Sequence, residues 1–425
     1  MLQRVNIKNY RSLKDVTVDL QQVNLLIGPN NSGKTNFLKA FEFLSTFINR
    51  HSFSLDYFLM SYFRMSVTKI KNRMNEPISF SFSIKLSDGK YGLYILEISG
   101  ANKNNEPIYR EFAGVSERNL QIMEIDDIRM FLNDLVDFGI VVNNAHRWKI
   151  FHDFGIPVPD DKRFVLVLNQ DKELEVRGKS WFTNDLIEYV DEGFLFDFGN
   201  IFKDIIIYKP DTNRIAEPGK LGVEQFINAD ASNLVSFLDN IRDIHPEIYE
   251  RIKFDLNECL DEFSDLRFIK VERDGVLYKK IGLIDKRKKI FWAEELSEGT
   301  LYFLALLSII HQPNPPKLLL LEEPEKGIHP RRIHEVMEYI FRLADEKKIQ
   351  IVLTTHNTQL VDEFEDTPQS VFVFEMINGA TEIKNLNKDI IEPANKKSEE
   401  TGLPFIRYTE LLGEKWFQGF IGGVP

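Results

Sequence analysis

The residues with the clearest chemical potential form a short loop near the start of the chain. The loop is Gly28–Thr35, with the sequence GPNNSGKT, and it lies between the apolar stretch Val23–Ile27 and the helix-forming stretch Asn36–Phe41. Its glycines allow a tight turn whose N–H groups point at an anion, and the positive end of the next helix faces the same spot. Strand, loop and helix in this order predict a phosphate-binding loop for a nucleoside triphosphate, in preference to an ordinary surface turn.

The residues of this loop have distinct predicted roles. Lys34 is expected to reach the β- and γ-phosphates and to take part in catalysis, and the Thr35 hydroxyl is expected to ligate Mg²⁺. ATP and Mg²⁺ are therefore the expected ligands. The other predicted nucleotide contacts in this segment are Gly28, Asn30, Asn31, Ser32, Gly33 and Asn36.

Three further motifs follow in the second half of the chain. The turn Leu296–Thr300 (LSEGT) precedes an apolar helix, an apolar strand ends in the acids Glu322 and Glu323, and the strand Gln350–Thr355 is followed by His356. Each alone has an ordinary explanation, as a helix cap or as solvated charge. The informative property is their fixed order after the phosphate-binding loop.

This order resembles the ABC-type ATPases, and within them the heads of the structural-maintenance-of-chromosomes and overcoming-lysogenization-defect proteins. The closest likeness is to stand-alone bacterial ATPases, and it is carried by Asp230–Leu234, Leu296–Leu307 and Glu322–Pro330. The resemblance implies an α/β fold: an ABC-type P-loop head with a mixed sheet core, an antiparallel β-subdomain and an inserted α/β-helical lobe.

The resemblance also implies roles for the acidic and histidine residues. Glu322 matches the acid that supports Mg²⁺, Glu323 the catalytic glutamate that orients the attacking water, and His356 the switch histidine beside the γ-phosphate. These roles agree with phosphoryl transfer, which depends on positioning and on neutralised charge more than on covalent help.

The resemblance assigns four further positions to the nucleotide. Ser297 and Gly299 match residues of a signature turn that contact the γ-phosphate of ATP bound to the other copy, so ATP would hold a dimer together. Arg11 and Ser12 stand where such heads often contact the base and ribose.

Two positions depart from the transporter pattern. Glu322 and His329 stand where transporters carry aspartates. This form is usual in the lysogenization-defect relatives, so it argues against a transporter subunit rather than against an ATPase. The glutamine of the Q-loop is not assigned to a position.

The pattern of elements divides the chain into three parts. Residues 1–45 and 200–390 are predicted to form the split ATPase core, 46–199 an inserted lobe, and 391–425 a tail that could dock a partner. Expected elements include a hairpin of strands 78–84 and 91–98, a helix over 126–138, a strand over 163–168, and a helix capped by Ser232.

Composition excludes several classes of protein. The 425 residues are 43% hydrophobic, which predicts a globular chain, and the single cysteine, Cys259, excludes a disulfide framework. No stretch reaches membrane-spanning length and no signal-peptide core is present, so a cytoplasmic protein is expected. The net charge of −12 argues against a surface that binds polyanions as a whole. Local basic groups, which are either solvated loops or nucleic-acid contacts, are Lys69, Lys71, Arg73 and Lys286–Lys289.

The biological role is predicted by what the sequence contains and lacks. Long coiled coils are absent, and about seventy residues follow His356, too few for a nuclease domain of typical size. We therefore expect an ATP-switched homodimer without nuclease activity of its own, which controls a separately encoded effector in anti-phage defence. The alternative is a repair or recombination ATPase acting directly on DNA ends. The inserted lobe contains aromatic residues that are either part of its core or contacts for the effector: Tyr57, Phe58, Tyr62, Phe63 and Trp181.

Overall fold

The computed structural model describes most of the chain. The described residues are 1–49, 77–86, 88–101, 107–116, 135–143, 163–168, 174–177, 201–202, 205–220, 222–402 and 408–424. The predicted aromatic segment with Tyr57, Phe58, Tyr62 and Phe63 lies outside these ranges, as do Trp181 and the basic group Lys69, Lys71 and Arg73.

Strands account for much of the described chain. Their bounds are β1 Leu2–Tyr10, β2 Leu13–Asp19, β3 Val23–Ile27, β4 Ile78–Lys85, β5 Tyr91–Ala101, β6 Pro107–Ser116, β7 Leu135–Asn143, β8 Arg163–Leu168, β9 Leu174–Arg177, β10 Ile207–Tyr208, β11 Gly219–Lys220, β12 Phe263–Arg273, β13 Val276–Asp285, β14 Ile290–Trp292, β15 Leu318–Glu322, β16 Gln350–Thr354, β17 Val371–Ile377 and β18 Ala380–Asn385.

The helices are concentrated in the second half of the chain. Their bounds are α1 Lys34–Asn49, α2 Thr212–Ala216, α3 Leu234–Ile244, α4 Pro246–Cys259, α5 Glu298–His311, α6 Ile333–Lys347, α7 Thr358–Asp362, α8 Glu392–Thr401 and α9 Leu412–Phe417. Within the described residues, no helix is long and apolar enough to span a membrane.

The chain forms two compact units. The first unit consists of Met1–Gln21, Asn30–Asp204 and Phe374–Ile383, and the second of Gln22–Pro29, Ile205–Val373 and Lys384–Pro425. The phosphate-binding loop therefore begins in the second unit and continues in the first.

An antiparallel sheet builds the first unit. Its strand order is β2-β1-β4-β5-β6-β7-β8-β9, so strands of the predicted inserted lobe continue the sheet that β1 and β2 begin. The predicted hairpin of β4 and β5 is confirmed, with its turn at Asp88 and Gly89. Helix α1 packs aromatic side chains on this sheet: the ring of Phe43 lies 5.4 Å from that of Tyr10 and 5.3 Å from that of Phe80.

A largely parallel sheet forms the centre of the second unit. Its order is β10-β15-β16-β3-β17-β18, and β10, β15, β16, β3 and β17 are paired in parallel. β15 and β16 are continuous apolar runs because both faces of such a sheet are covered. Helix α5 is buried from Thr300 to His311, which explains its almost wholly apolar sequence. The ABC-type α/β fold with a mixed sheet and an antiparallel subdomain is therefore confirmed.

Two predicted local features are wrong. The helix expected over 126–138 is contradicted at its end, because residues 135–138 belong to β7, which pairs with β6 and β8; the rest of that stretch lies outside the described residues. Ser232 does not cap α3, which has Asn233 at its N-cap and no side-chain cap bond. Ser232 lies one residue before the N-cap position, and its hydroxyl accepts a hydrogen bond from the Asn228 side-chain amide at 3.2 Å.

The C-terminal tail has its own structure. Helix α9 packs on α7, because the N–H of Gly413 donates to the Asp362 carboxylate at 2.7 Å and Trp416 is fully buried. Phe417 and Phe420 remain largely exposed on the same segment. Residues 408–424 thus form a cap on α7 with an apolar outer rim.

Candidate functional site

Three strands of the second unit end together at one edge of the parallel sheet. The register pairs Leu26 of β3 with Thr354 of β16, and Thr354 with Glu322 of β15. The loops that follow carry Gly28, Glu323 and His356. In open α/β sheets, ligands bind at this carboxyl edge, where loops from neighbouring strands converge.

The structure brings Glu323 and His356 close together. His356 Nε2 lies 3.9 Å from Glu323 Oε1, and the Glu323 N–H donates to the carbonyl of Thr354 at 3.1 Å. Glu323 has a φ of +52°, a left-handed conformation that is costly for a residue with a side chain. Such strained residues cluster at active sites, where the surrounding structure holds them.

Glu322 is paired with a lysine that the sequence motifs did not reveal. β10 runs parallel to β15 with Tyr208 opposite Leu321, so Lys209 lies beside Glu322. The two side chains form an ion pair, with Lys209 Nζ 3.1 Å from Glu322 Oε2. This lysine offsets part of the negative charge of the segment Glu322–Glu325. No sequence signal marks it, because β10 is a two-residue strand without a motif.

Glu325 is a buried carboxyl group behind the strand edge. It is 9% exposed, and its Oε1 accepts a hydrogen bond from the Thr355 hydroxyl at 2.6 Å. Its Oε2 is buried and has no hydrogen-bond partner among the described residues. Burial raises the pKa of Glu325, the negative charge of Glu323 adds to the rise, and the bonds from Thr355 and from the His356 backbone oppose it. Sequence reasoning did not single out this residue.

The predicted signature turn lies at the exposed start of α5. Ser297 is the N-cap, and its hydroxyl accepts from the Thr300 N–H at 3.1 Å. Gly299 packs against the loop after Glu323, since a Cβ there would lie 2.8 Å from the Gly327 carbonyl oxygen. Gly327 has a φ of +78° and is covered by Glu298. The structure therefore joins the signature turn to the segment that follows the predicted catalytic glutamate.

The remainder of the phosphate-binding loop lies in the first unit. Asn31 and Gly33 have φ values of +64° and +109°, and α1 begins at Lys34, whose side chain is largely buried. A Cβ on Gly33 would overlap the side chain of Thr381. The Ser32 hydroxyl is buried without a hydrogen-bond partner within the described part of the chain.

Arg11 and Ser12 are held against the start of α1. Arg11, with a φ of +54°, donates to the Asn36 side-chain oxygen at 3.3 Å, and the Asn36 amide donates to the Ser12 hydroxyl at 2.8 Å. Thr381 completes the cluster, because its hydroxyl donates to the Ser32 carbonyl at 2.9 Å and its N–H donates to the Ser12 carbonyl at 2.8 Å. The predicted base and ribose contacts are thus tied to the loop through Thr381.

These features fit a bound phosphate chain. The backbone of Gly33 takes a conformation that favours glycine, and the Ser32 hydroxyl is a buried polar group without a partner among the described residues. The described residues contain no group of three or more His, Cys, Asp or Glu that could hold a metal by itself. Mg²⁺ on a nucleotide takes few protein ligands besides phosphate oxygens, and a hydroxyl such as Thr35 and a carboxylate such as Glu322 are the hard oxygen donors it prefers.

Comparison with known proteins identifies related sequences. The profile of the family described as "AAA domain, putative AbiEii toxin, Type IV TA system" matches residues 23–362. The energy-coupling factor transporter ATP-binding protein EcfA2 of Ligilactobacillus salivarius is 36% identical over 72 residues, which is 17% of this chain and 24% of that protein. EcfA2 of Streptococcus agalactiae is 28% identical over 149 residues, 34% of this chain and 50% of that protein. The chain thus spans about a quarter to a half of the length of these curated relatives.

Solved structures give a looser overlap. The SMC head domain from Thermotoga maritima overlaps 90% of this chain and 98% of that chain, with 13% identity and a TM-score of 0.42. An Smc head domain from Pyrococcus furiosus with an extended coiled coil, bound to the C-terminal domain of ScpA, overlaps 94% and 99%, with 14% identity and a TM-score of 0.42. At this identity and TM-score the overlaps do not define the fold, which is assigned from the strand order, the motif positions and the family match.

Proposed function

Because the chain belongs to the AAA-domain family that matches residues 23–362, we propose that it is an ATP-binding and ATP-hydrolysing switch. Two copies would share their nucleotide sites and control or scaffold a separately encoded effector. The observation that carries this proposal is the meeting of Glu323 and His356 at the edge where β15 and β16 end, beside Glu322.

Each residue of this site has a task in phosphoryl transfer. Lys34 would bind the phosphate chain, and Thr35 and Glu322 would hold Mg²⁺, which supplies positive charge to the phosphate oxygens when it is bound. Glu323 would orient the attacking water, and His356 would hold the γ-phosphate side of the site. The left-handed backbone at Glu323 fixes its direction before ATP arrives, which is the preorganisation that catalysis requires.

The signature turn supports sharing of the site between two copies. Ser297 and Glu298 are exposed at the N-terminus of a fourteen-residue helix. Helix N-termini attract anions through their unpaired N–H groups and dipole. We propose that this turn binds the γ-phosphate held by the other copy, so that ATP joins the dimer and hydrolysis releases it.

The effector is proposed to be a separate protein, a nuclease in bacterial anti-phage defence. The toxin description of the family supports a defence-related role. A partner could dock on the predicted inserted lobe or on the tail, where Phe417 and Phe420 form an exposed apolar rim. We expect the purified chain to hydrolyse ATP without cutting DNA or RNA. Metal-dependent nuclease activity that is abolished by a mutation outside the ATP site would contradict this.

A second candidate is a repair ATPase that binds DNA directly. The observation in its favour is the exposed basic turn Lys286–Lys289 between β13 and β14. Binding through this turn would weaken as salt rises, because each phosphate contact releases counterions. Loss of salt-dependent DNA binding in a variant with all four residues changed to glutamine would favour this candidate.

The ATPase proposal is tested by two substitutions with matched controls. Lys34→Ala should lose tight ATP binding, whereas the exposed Lys14→Ala should not. Glu323→Gln should keep ATP binding, lose about a hundredfold or more in turnover because water is no longer activated, and accumulate as an ATP-bound dimer in light scattering. The exposed Glu338→Gln is its control. Near-normal turnover in either site variant would reject the assignment.

Sharing of the sites is tested by mixing two inactive variants. Ser297→Arg puts bulk and charge on the signature turn, and Lys34→Ala disables the phosphate-binding loop. If the turn acts on the other copy's nucleotide, a mixed dimer contains one intact site and turnover should recover above that of either variant alone. A mixture no more active than its parts would show that the two copies do not complement each other.

A further inference from the structure

Glu325 connects the two loops that carry the predicted hydrolytic residues. Its Oε1 accepts from the Thr355 hydroxyl at 2.6 Å, and the same hydroxyl oxygen accepts from the Asn357 N–H at 2.9 Å. Thr355 and Asn357 flank His356. Glu325 itself is two residues beyond Glu323, and its carbonyl accepts from the Ile328 N–H at 2.9 Å. One buried carboxyl group therefore braces the turn after β15 against the turn after β16.

A second buried polar group lies on the signature helix, one turn beyond the residue that touches the loop after Glu325. Tyr302 lies on α5, is 2% exposed, and its hydroxyl has no hydrogen-bond partner among the described residues. Burial raises the pKa of the Tyr302 hydroxyl, and the negative charges of Glu325, Glu323 and Glu322 add to the rise. Tyr302 Oη and Glu325 Oε2 are thus two unsatisfied polar atoms, on a helix and a loop that touch at Gly299 and Gly327.

The glycine contact brings the same two elements together at a second point. Gly299, in the first turn of α5, has no room for a Cβ because of the Gly327 carbonyl and the Ile328 backbone. Gly327 in turn has Glu298 over its α-carbon. The start of α5 therefore rests directly on the loop that Glu325 braces, with the backbone at Gly299 against that of Gly327 and Ile328.

We propose that Glu325 is a positioning residue, which holds the turns that carry Glu323 and His356 through its hydrogen bond with Thr355. Through Tyr302 it also couples these turns to the position of α5 in the same copy. This rests on the proposed ATPase function. Buried polar atoms without partners are rare, because each loses its bonds to water and gains none. A closer seating of α5 would join Tyr302 Oη and Glu325 Oε2 in one hydrogen bond.

This arrangement gives the signature turn a mechanical role in its own copy. When the nucleotide bound to the other copy contacts Ser297 and the N-terminus of α5, the helix moves against the loop that carries Gly327. Glu325 then accepts a hydrogen bond from the Tyr302 hydroxyl and holds the side chains of Glu323 and His356 in the positions that hydrolysis requires. ATP binding itself uses the phosphate-binding loop and does not require this step.

The test separates turnover from ATP affinity in purified full-length protein. Glu325→Ala should lower kcat by about tenfold or more, a barrier increase consistent with lost positioning, while the Kd for ATP changes less than about threefold. Glu325→Gln keeps an acceptor for Thr355 and an amide for Tyr302, so it should retain kcat within about threefold of the wild type. Tyr302→Phe should lower kcat and leave the Kd for ATP unchanged.

The control is another buried hydroxyl on the same helix. Ser308 is fully buried and donates to the Leu304 carbonyl at 2.8 Å. Ser308→Ala should leave kcat unchanged. Should Glu325→Ala fail to fold, Thr355→Val and Thr355→Ser replace it, because the valine loses the hydroxyl that bridges to Glu325 and the serine keeps it. The valine variant should then lose turnover and the serine variant should not.

Several results would overturn the inference while leaving the ATPase intact. Wild-type kcat in Glu325→Ala, parallel loss of kcat and ATP affinity, or equal activity of the two Thr355 variants would remove the positioning role. Unchanged kcat in Tyr302→Phe would remove the link to α5. A wild-type protein that does not hydrolyse ATP would instead reject the proposed function, and the inference with it.

Discussion

Asp255 and Glu325 are both buried carboxyl groups of the second unit, but they differ in their hydrogen-bond partners and in the direction of their pKa shifts. Asp255, on α4, is fully buried and Glu325 is 9% exposed. His311 Nε2 lies 2.6 Å from Asp255 Oδ2, and Arg251 Nε donates to the same oxygen at 3.0 Å. Glu325 has a hydroxyl donor on one oxygen and another carboxylate, Glu323, nearby.

The two pKa values therefore move in opposite directions. Burial alone would raise the pKa of Asp255, but the hydrogen bonds from His311 and Arg251 help to outweigh it and the pKa is lowered. For Glu325, burial is the larger effect and the pKa rises. A buried acid with a cationic partner serves the packing of helices, whereas one left without such a partner at the edge of a site is available for function.

The sharpest test of this contrast is removal of each carboxyl. Asp255→Ala leaves the buried His311 without its carboxylate and Arg251 with Glu346 alone. We expect a loss of roughly 3–5 kcal/mol in the free energy of unfolding, with turnover per folded molecule unchanged. Glu325→Gln should change the unfolding free energy by less than about 1 kcal/mol. Urea denaturation measures both. The control is Asp243→Ala, since the Asp243 side chain is 64% exposed in its pair with Arg242. Comparable losses in the two buried-acid variants would erase the distinction.

A smaller effect is expected from pH. Because the folded-state pKa of Asp255 is lowered, its contribution to stability is present above the unfolded value of about 3.9 and is lost as pH falls through the folded value. The pKa of Glu325 is raised, so its contribution is present below the unfolded value of about 4.3 and is lost as pH rises through the folded value. Asp255→Asn should thus reduce the fall in the free energy of unfolding as pH decreases through the folded-state pKa of Asp255. Glu325→Gln should reduce the fall in the free energy of unfolding as pH increases from about 4.3. Matching slopes for the two variants would contradict the assignment.

The smallest effect is expected from the cation beside Asp255. The Arg251 side chain is 43% exposed, so water screens its pair with Asp255. Arg251→Met keeps the apolar stem and should cost about 1 kcal/mol or less in the free energy of unfolding. Denaturation of this variant at high and low salt measures the screened part. A loss as large as that of Asp255→Ala would mean that Arg251, not His311, is the principal partner.

Local sequence patterns predicted the motif residues, but they did not predict the long-range contacts around them. The loop Gly28–Thr35, the acids at the end of β15 and the histidine after β16 belong to contiguous motifs, so their positions at strand ends could be predicted from the sequence. Lys209 reaches Glu322 through pairing of two strands that are far apart in the chain. Thr381 contacts Ser12 across 369 residues. No local pattern encodes such contacts, since they depend on which strands become neighbours.

The same reasoning explains the two wrong local predictions. The stretch at 135–138 has an apolar pattern that suits either element, and its strand form is decided by pairing with β6 and β8. Ser232 has the side chain of a good cap, but the backbone turn before it, with Ala231 at a φ of +55°, starts the helix later. Capping depends on that turn as much as on the residue type.

The contact between Gly299 and Gly327 also bears on how this chain can change over generations. Every single-base change that replaces a glycine adds a side chain or ends the chain. A Cβ on Gly299 would meet the Gly327 carbonyl oxygen, and a Cβ on Gly327 would meet the Glu298 side chain. A change at one position cannot be compensated at the other, which is already glycine. Drift at these two codons is therefore confined to silent changes, while the neighbouring exposed residue Lys326 has space to vary.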